Sequence, residues 1–231
     1  MREIQALLPT RHGGAPVLLQ VPSGFPALVL LYHGLGACKE TQRAEAESLA
    51  RAGFLVATVD AWGHGARRLE RFEERVDGPE FKLWFARMLA GSVQEIPDIV
   101  DALLGLTGPL PVAVAGISMG GCIAFGAPLY DSRVTAIVPI LGSPDWGLGQ
   151  DLPEEAGPNP LHHPDEVTRA AVLAFNAGKD ENVPPDKART FLSGRGEYHE
   201  YAESTHFMRE EDWHDLWRRT LEWLERWSAR I

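Results

Sequence analysis

The chain has 231 residues, 45% of them hydrophobic and 23% charged, which suits one large α/β domain with a sizeable core, taken here as spanning residues 1–231. A formal charge of −10 argues against a nucleic-acid or anionic-membrane surface, and no apolar run approaches the roughly twenty residues of a membrane span. Cys38 and Cys122 are too few for a disulfide framework, and the opening stretch "MREIQALLPTRHGG" lacks a long apolar segment behind a basic end, so reduced thiols in a cytoplasmic protein are expected.

In chain order, short apolar runs rich in Val, Leu, Ile and Ala alternate with helical stretches. "PVLLQV" (16–21), "ALVLLYH" (27–33) and "FLVATVD" (54–60) read as strands covered on both faces, with a helix over about 38–52 between the last two. The arginine-dense stretch Arg67, Arg68, Arg71 and Arg75 is interleaved with Glu70, Glu73 and Glu74 and reads as a solvated face. Over about 80–105 an apolar face carrying Phe81, Trp84, Phe85, Met88 and Leu89 precedes Gly91. Ser92 with Glu95 has the spacing of a capping box opening a second helix, and Pro97 would remove one backbone bond, which leaves one kinked helix or two.

"PVAVAGI" (111–117), "VTAIVPIL" (134–141) and "AAVLAFNAG" (170–178) continue the strand series, with helices over about 119–129 and 184–194. A last strand, "GEYHEYAE" (196–203), precedes a tail helix over about 209–228, in which Trp213, Leu216, Trp217, Leu221, Leu224 and Trp227 form one apolar stripe. Such alternation predicts a mostly parallel sheet of about seven or eight strands with helices on both faces.

In an open parallel sheet ligands collect at the carboxyl ends of the strands. "GISMG" (116–120) follows a buried strand and opens a helix, so its glycines would relieve crowding around Ser118 at a strained apex above a helix amino end. A serine hydroxyl needs a base, and the base needs an acid to orient it. His206 in the loop "ESTHFMRE" is the best-placed base; His199 and His214 read as structural or exposed, and His12, His33 and His64 precede the serine. Asp180 in "AGKDENVPP" follows a buried strand and is preferred as the acid over Asp145 in "GSPDW", one strand earlier. The oxyanion donors would be the backbone N–H groups of Met119 and of Leu35 in "YHGLG". Tyr32, Trp62, Trp146 and Phe207 neighbour these loops and are candidates for the pocket wall.

The order Ser118, Asp180, His206, with "HGLG" after an early strand and "DAWGHGAR" (60–67) after the next, resembles the α/β-hydrolase superfamily, and within it the small bacterial esterases of the dienelactone-hydrolase and prolyl-oligopeptidase-like branch. The likeness runs from about residue 16 to the tail helix. It implies an α/β-hydrolase fold and carboxylic ester hydrolysis with Ser118 as nucleophile, Asp180 as acid and His206 as base, and without a cofactor. Dienelactone hydrolases use a cysteine nucleophile, so their substrate is not implied for a serine, and His64 and Arg67 match a turn of the family where they would brace the loop.

The stretch 142–169 is short, irregular and proline-rich, so no large lid is expected and short acyl groups are the expected substrates. His162, His163 and Asp165 in it lack the third and fourth spaced ligands of a metal site, and no metal is assigned. The expected partner is a small-molecule ester, with a homo-oligomer left open. A thioesterase, a peptidase or a binding protein on the same frame are the alternatives, because acyl-transfer machinery does not reveal its leaving group.

Overall fold

The computed structural model describes residues 1–149, 151–152 and 156–231. One eight-stranded sheet runs in the order β1-β2-β4-β3-β5-β6-β7-β8. The strands are β1 (Arg2–Leu8), β2 (Ala15–Val21), β3 (Leu28–Tyr32), β4 (Leu55–Val59), β5 (Val112–Ile117), β6 (Val134–Ile140), β7 (Ala171–Ala177) and β8 (Glu197–Tyr201). β1 pairs antiparallel with β2, and β2 antiparallel with β4; every later pairing is parallel.

The missing alternation in the strand sequences follows from two separate cores. Successive side chains of a strand point to opposite faces. Leu28, Leu30 and Tyr32 of β3 enter one core, while Val29 and Leu31 enter the other. The first core is closed by α3 (Phe81–Gln94), α4 (Ile96–Thr107), α5 (Met119–Tyr130) and α7 (Asp186–Leu192), the second by α1 (Arg43–Arg51) and α8 (Glu210–Ser228). Each fully buried Leu or Val contributes roughly 1.5–3 kcal/mol, so both faces of the central strands must stay apolar and polar chemistry is pushed to the strand ends.

The stretch 80–105 is two helices, α3 and α4, which meet at Glu95 with Pro97 in the first turn of α4. Ser92 does not cap. Its hydroxyl donates to Met88 O (2.7 Å) and accepts from Trp62 N–H (3.0 Å), while Glu95 reaches out of the helix to Arg67. Two shorter helices, α2 (Phe72–Val76) and α6 (Pro164–Val167), lie in connecting segments. On α8 the buried positions are Leu216, Thr220, Trp223, Leu224 and Trp227, with Trp213, Trp217 and Leu221 only partly covered, so the stripe is rotated toward Trp223 relative to the sequence reading. No described helix is long and apolar enough to cross a membrane.

Between β6 and β7 the described residues form a loop, a single 3-10 turn (Pro160–His162) and α6, with no lid of helical size; part of the insertion, at 150 and 153–155, lies outside the described residues.

Candidate active site

Ser118 sits between the end of β5 and the start of α5 with φ 56° and ψ −114°, a conformation that an L-residue adopts only where its surroundings enforce it. The enforcement is main chain against main chain. A Cβ added at Gly116 would lie 2.3 Å from Gly120 O, and one added at Gly120 would lie 2.2 Å from Tyr32 O. The turn can therefore pack against β3 only if both positions are glycine. Ser118 N–H donates to Ile140 O (2.8 Å), which ties the apex to β6 as well.

Two loops from neighbouring strand ends meet this serine. His206 Nε2 lies 3.0 Å from Ser118 Oγ, and His206 Nδ1 lies 2.7 Å from Asp180 Oδ2. The Asp180 carboxylate is fully buried, and its other oxygen accepts the N–H groups of Asn182 and Val183, both at 2.9 Å. Two donors thus fix its rotation, leaving Oδ2 aimed at the imidazole. Asp145, the competing acid, points elsewhere: its oxygens accept from the N–H groups of Gly147 and Gly149 (both 3.1 Å) and shape its own loop.

Neither Leu35 N–H nor Met119 N–H donates a hydrogen bond among the described residues. Met119 opens α5, where first-turn N–H groups have no partner within the helix. A Cβ at Gly34 would lie 3.6 Å from Ser118 Cβ, which sets the Gly34–Leu35 stretch beside the hydroxyl. His33 holds that stretch. Its Nε2 accepts Ala61 N–H (3.1 Å), so the proton resides on Nδ1, which donates to Gly34 O (2.7 Å). Burial lowers the His33 pKa and keeps the ring neutral. This bracing role had one sequence signal, the His-Gly pair itself.

The next turn is braced by buried charges. Arg67 donates to Asp60 O (2.7 and 3.2 Å) and Gly14 O (3.0 Å), and pairs with Glu95 at 2.6 Å. It is thus a loop brace and not part of a solvated face. Asp60, wholly buried, accepts the N–H groups of Lys39 (2.7 Å) and Ala66 (2.9 Å). His64 is buried beside His33, and desolvation lowers its pKa to about 4.

The four aromatic pocket candidates separate. Tyr32 and Trp146 are each 1% exposed and belong to the core, Trp146 with its indole N–H on Cys122 O (3.0 Å). They have no surface left to wall a pocket: Tyr32 points inward from β3, and Trp146 fills the space over Gly126, where a Cβ would lie 2.3 Å from its ring. Trp62 packs over Gly91 of α3 and against His12. Phe207 is 87% exposed, with its ring centroid 5.9 Å from that of His206. Leu35 adds a second exposed apolar side chain at the same rim. No described His, Cys, Asp or Glu side chains group in threes that could hold a metal.

The α/β-hydrolase fold family matches residues 27–224. The chain belongs to this family. Among curated relatives, YitV of Bacillus subtilis strain 168, named as a candidate esterase, is 26% identical over 229 residues, covering 86% of this chain and 88% of its own. The crystal structure of TT1662 from Thermus thermophilus superposes with a TM-score of 0.79 at 22% identity, covering 99% of both chains. A dienelactone hydrolase from Anabaena variabilis gives 0.72 at 22% identity over 97% of both chains. At these identities the two structures speak to the fold, and the site described above is built at the carboxyl ends of β3, β5, β7 and β8 of its parallel part.

Proposed function

We propose that this α/β hydrolase is a serine carboxylesterase that acts on short-chain acyl esters through Ser118, His206 and Asp180. One observation carries the reading: a single imidazole lies within hydrogen-bonding reach of a strained serine hydroxyl on one side and of a buried carboxylate on the other. Asp180 accepts Nδ1–H and so leaves Nε2 free to take the Ser118 proton as Oγ attacks the ester carbonyl. The carbonyl oxygen takes up the charge and is met by the N–H groups of Leu35 and Met119, neither of which has another partner among the described residues. His206 then gives its proton to the departing alcohol oxygen, leaving Ser118 acylated. Water, deprotonated by His206, repeats the addition in reverse order and releases the acid. Each proton and each bond is handled by these groups and water, so the reading calls for no cofactor.

Short acyl groups suit a rim made of Leu35 and Phe207, with no helical lid among the described residues. The two thiols, neither in a disulfide, suit a reducing cytoplasm. Fluorophosphonate labelling tests the nucleophile: an adduct on Ser118, absent in Ser118→Ala, is expected. Rates on p-nitrophenyl acetate, longer acyl esters, an acyl-CoA and an aminoacyl amide then separate the esterase from a thioesterase or a peptidase. A folded chain that takes no label and cleaves none of these would leave the proposal without support.

A further inference from the structure

The opposite end of the sheet carries a feature invisible in the linear sequence. Where β7 and β8 begin and α8 ends, a groove of about 490 Å³ is lined by Arg169, Arg195, Arg226 and Arg230 over the edges of Trp223 and Trp227. These arginines are scattered along 62 positions of the chain and only the fold gathers them. All four are exposed at the surface. The guanidiniums of Arg195, Arg226 and Arg230 have no hydrogen-bond or ion-pair partner among the described residues, and that of Arg169 bonds only to Pro128 O (2.8 Å).

Elsewhere in this acidic chain many arginines are matched with carboxylates, as in the pairs Arg67–Glu95, Arg133–Asp131 and Arg189–Glu200. The one acid among the residues lining the groove is otherwise engaged, as is its neighbour on α8. Glu197 accepts the Trp223 indole N–H at 2.8 Å, and Glu222, one turn before Arg226, is bonded to Arg218 at 2.7 Å. Four like charges around one concavity repel one another, and none of them is in an ion pair among the described residues, although Glu197 lines the groove and Glu166 lies close enough to Arg169 to feel its charge. That arrangement stores an unmet demand for an anion.

We propose that this groove binds a small ligand bearing two linked phosphoryl groups. The planar guanidinium fork matches two phosphate oxygens at a time, and several forks on one wall favour adjacent phosphoryls over a lone carboxylate. The volume is that of a small-molecule site. β7 spans seven residues, so the groove lies about 20 Å from the catalytic end of the sheet. It is a site separate from the esterase centre.

The test uses the full chain and inorganic pyrophosphate. Calorimetric titration at low ionic strength should give saturable binding of one pyrophosphate per chain, weakened by added salt as a solvent-exposed charge contact must be. Arg195→Gln with Arg226→Gln should weaken it by about tenfold or more, with the far-ultraviolet circular dichroism unchanged. Should that pair fail to fold, Arg230→Gln, beyond the end of α8, carries the same test with a loss of at least about threefold. Ser118→Ala should bind as the parent does, and pyrophosphate should leave fluorophosphonate labelling of Ser118 at its usual rate. ADP and adenosine distinguish the source: tighter binding of ADP assigns a nucleoside diphosphate, and equal or tighter binding of pyrophosphate assigns an inorganic or simple phosphate ester. No saturable heat, equal affinity in the arginine variants, slowed labelling, or adenosine binding as well as ADP would each overturn the proposal.

Discussion

Asp180→Asn isolates orientation from everything else the acid does. The side chain is almost isosteric, and the pattern of donors around it dictates which way the amide must face. Oδ1 accepts two backbone N–H groups, from Asn182 and Val183. An NH₂ group placed there would confront two donors, so the amide oxygen must take that position and the NH₂ must take the position of Oδ2, 2.7 Å from His206 Nδ1. Nδ1 then has to accept, the imidazole proton moves to Nε2, and the nitrogen 3.0 Å from Ser118 Oγ can no longer take a proton. The expected loss in kcat is about 10⁴-fold at neutral pH, or about 5.5 kcal/mol in the barrier. KM should stay within a few-fold and Tm should scarcely move, because both backbone bonds survive. The assay is p-nitrophenyl acetate hydrolysis across pH 6–9, with Asp145→Asn as the control that touches no imidazole. A variant retaining more than about a tenth of parental kcat would refute the tautomer argument.

Other expectations follow from the same geometry. Arg67→Met should cost about 3–5 kcal/mol in chemical denaturation, because the wholly buried Glu95 carboxylate is left uncompensated; replacing Glu95 by Leu in the same chain should recover most of it, and a cycle showing no coupling would remove the pair from the account. Gly120→Ala has no room, its Cβ falling 2.2 Å from Tyr32 O, so fluorophosphonate labelling should be nearly lost in whatever fraction folds. His64 is depressed to about 4 when folded, against about 6.5 unfolded, so the unfolded chain binds the extra proton. Stability should therefore fall as pH drops from about 6.5 toward 4 and level off below, by about 3 kcal/mol from this group. The urea midpoint measured against pH in His64→Gln should lose that part of the slope. Cys122, buried and pushed up to about 12, should resist iodoacetamide while the partly exposed Cys38 reacts, as peptide mass spectrometry would show.

Much of the frame was legible because doubly covered strands leave an unmistakable trace. β3 to β8 fall within the apolar or β-rich runs read from the sequence, and β2 begins one residue before its run. β1 was missed for the converse reason: most of Arg2–Leu8 is exposed, with Leu7 itself 68% exposed and Leu8 alone buried, and an edge strand held chiefly by backbone pairing writes no hydrophobic period. That Ser118, Asp180 and His206 meet was legible because strand-end position and residue type select few candidates. Side-chain direction was not. Tyr32 and Trp146 adjoin site loops in sequence, yet their rings enter the core. Ser92 and Glu95 have the spacing of a local cap, but their partners are Trp62 and Arg67, some thirty residues away, and no local pattern reports a long-range hydrogen bond. The gathering of Arg169, Arg195, Arg226 and Arg230 escaped for the same reason.

The glycine contacts behind Ser118 have an evolutionary corollary. Since carbonyl and α-carbon, rather than any rotamer, seat Ser118 against β3, the rim above it is mechanically separate from the seat. Leu35 and Phe207 can be exchanged for larger, smaller or charged neighbours without displacing Ser118 Oγ. New specificities on this scaffold are therefore most economically sought by rewriting the rim, while a library that randomises Gly116 or Gly120 spends its diversity on chains that cannot close the turn.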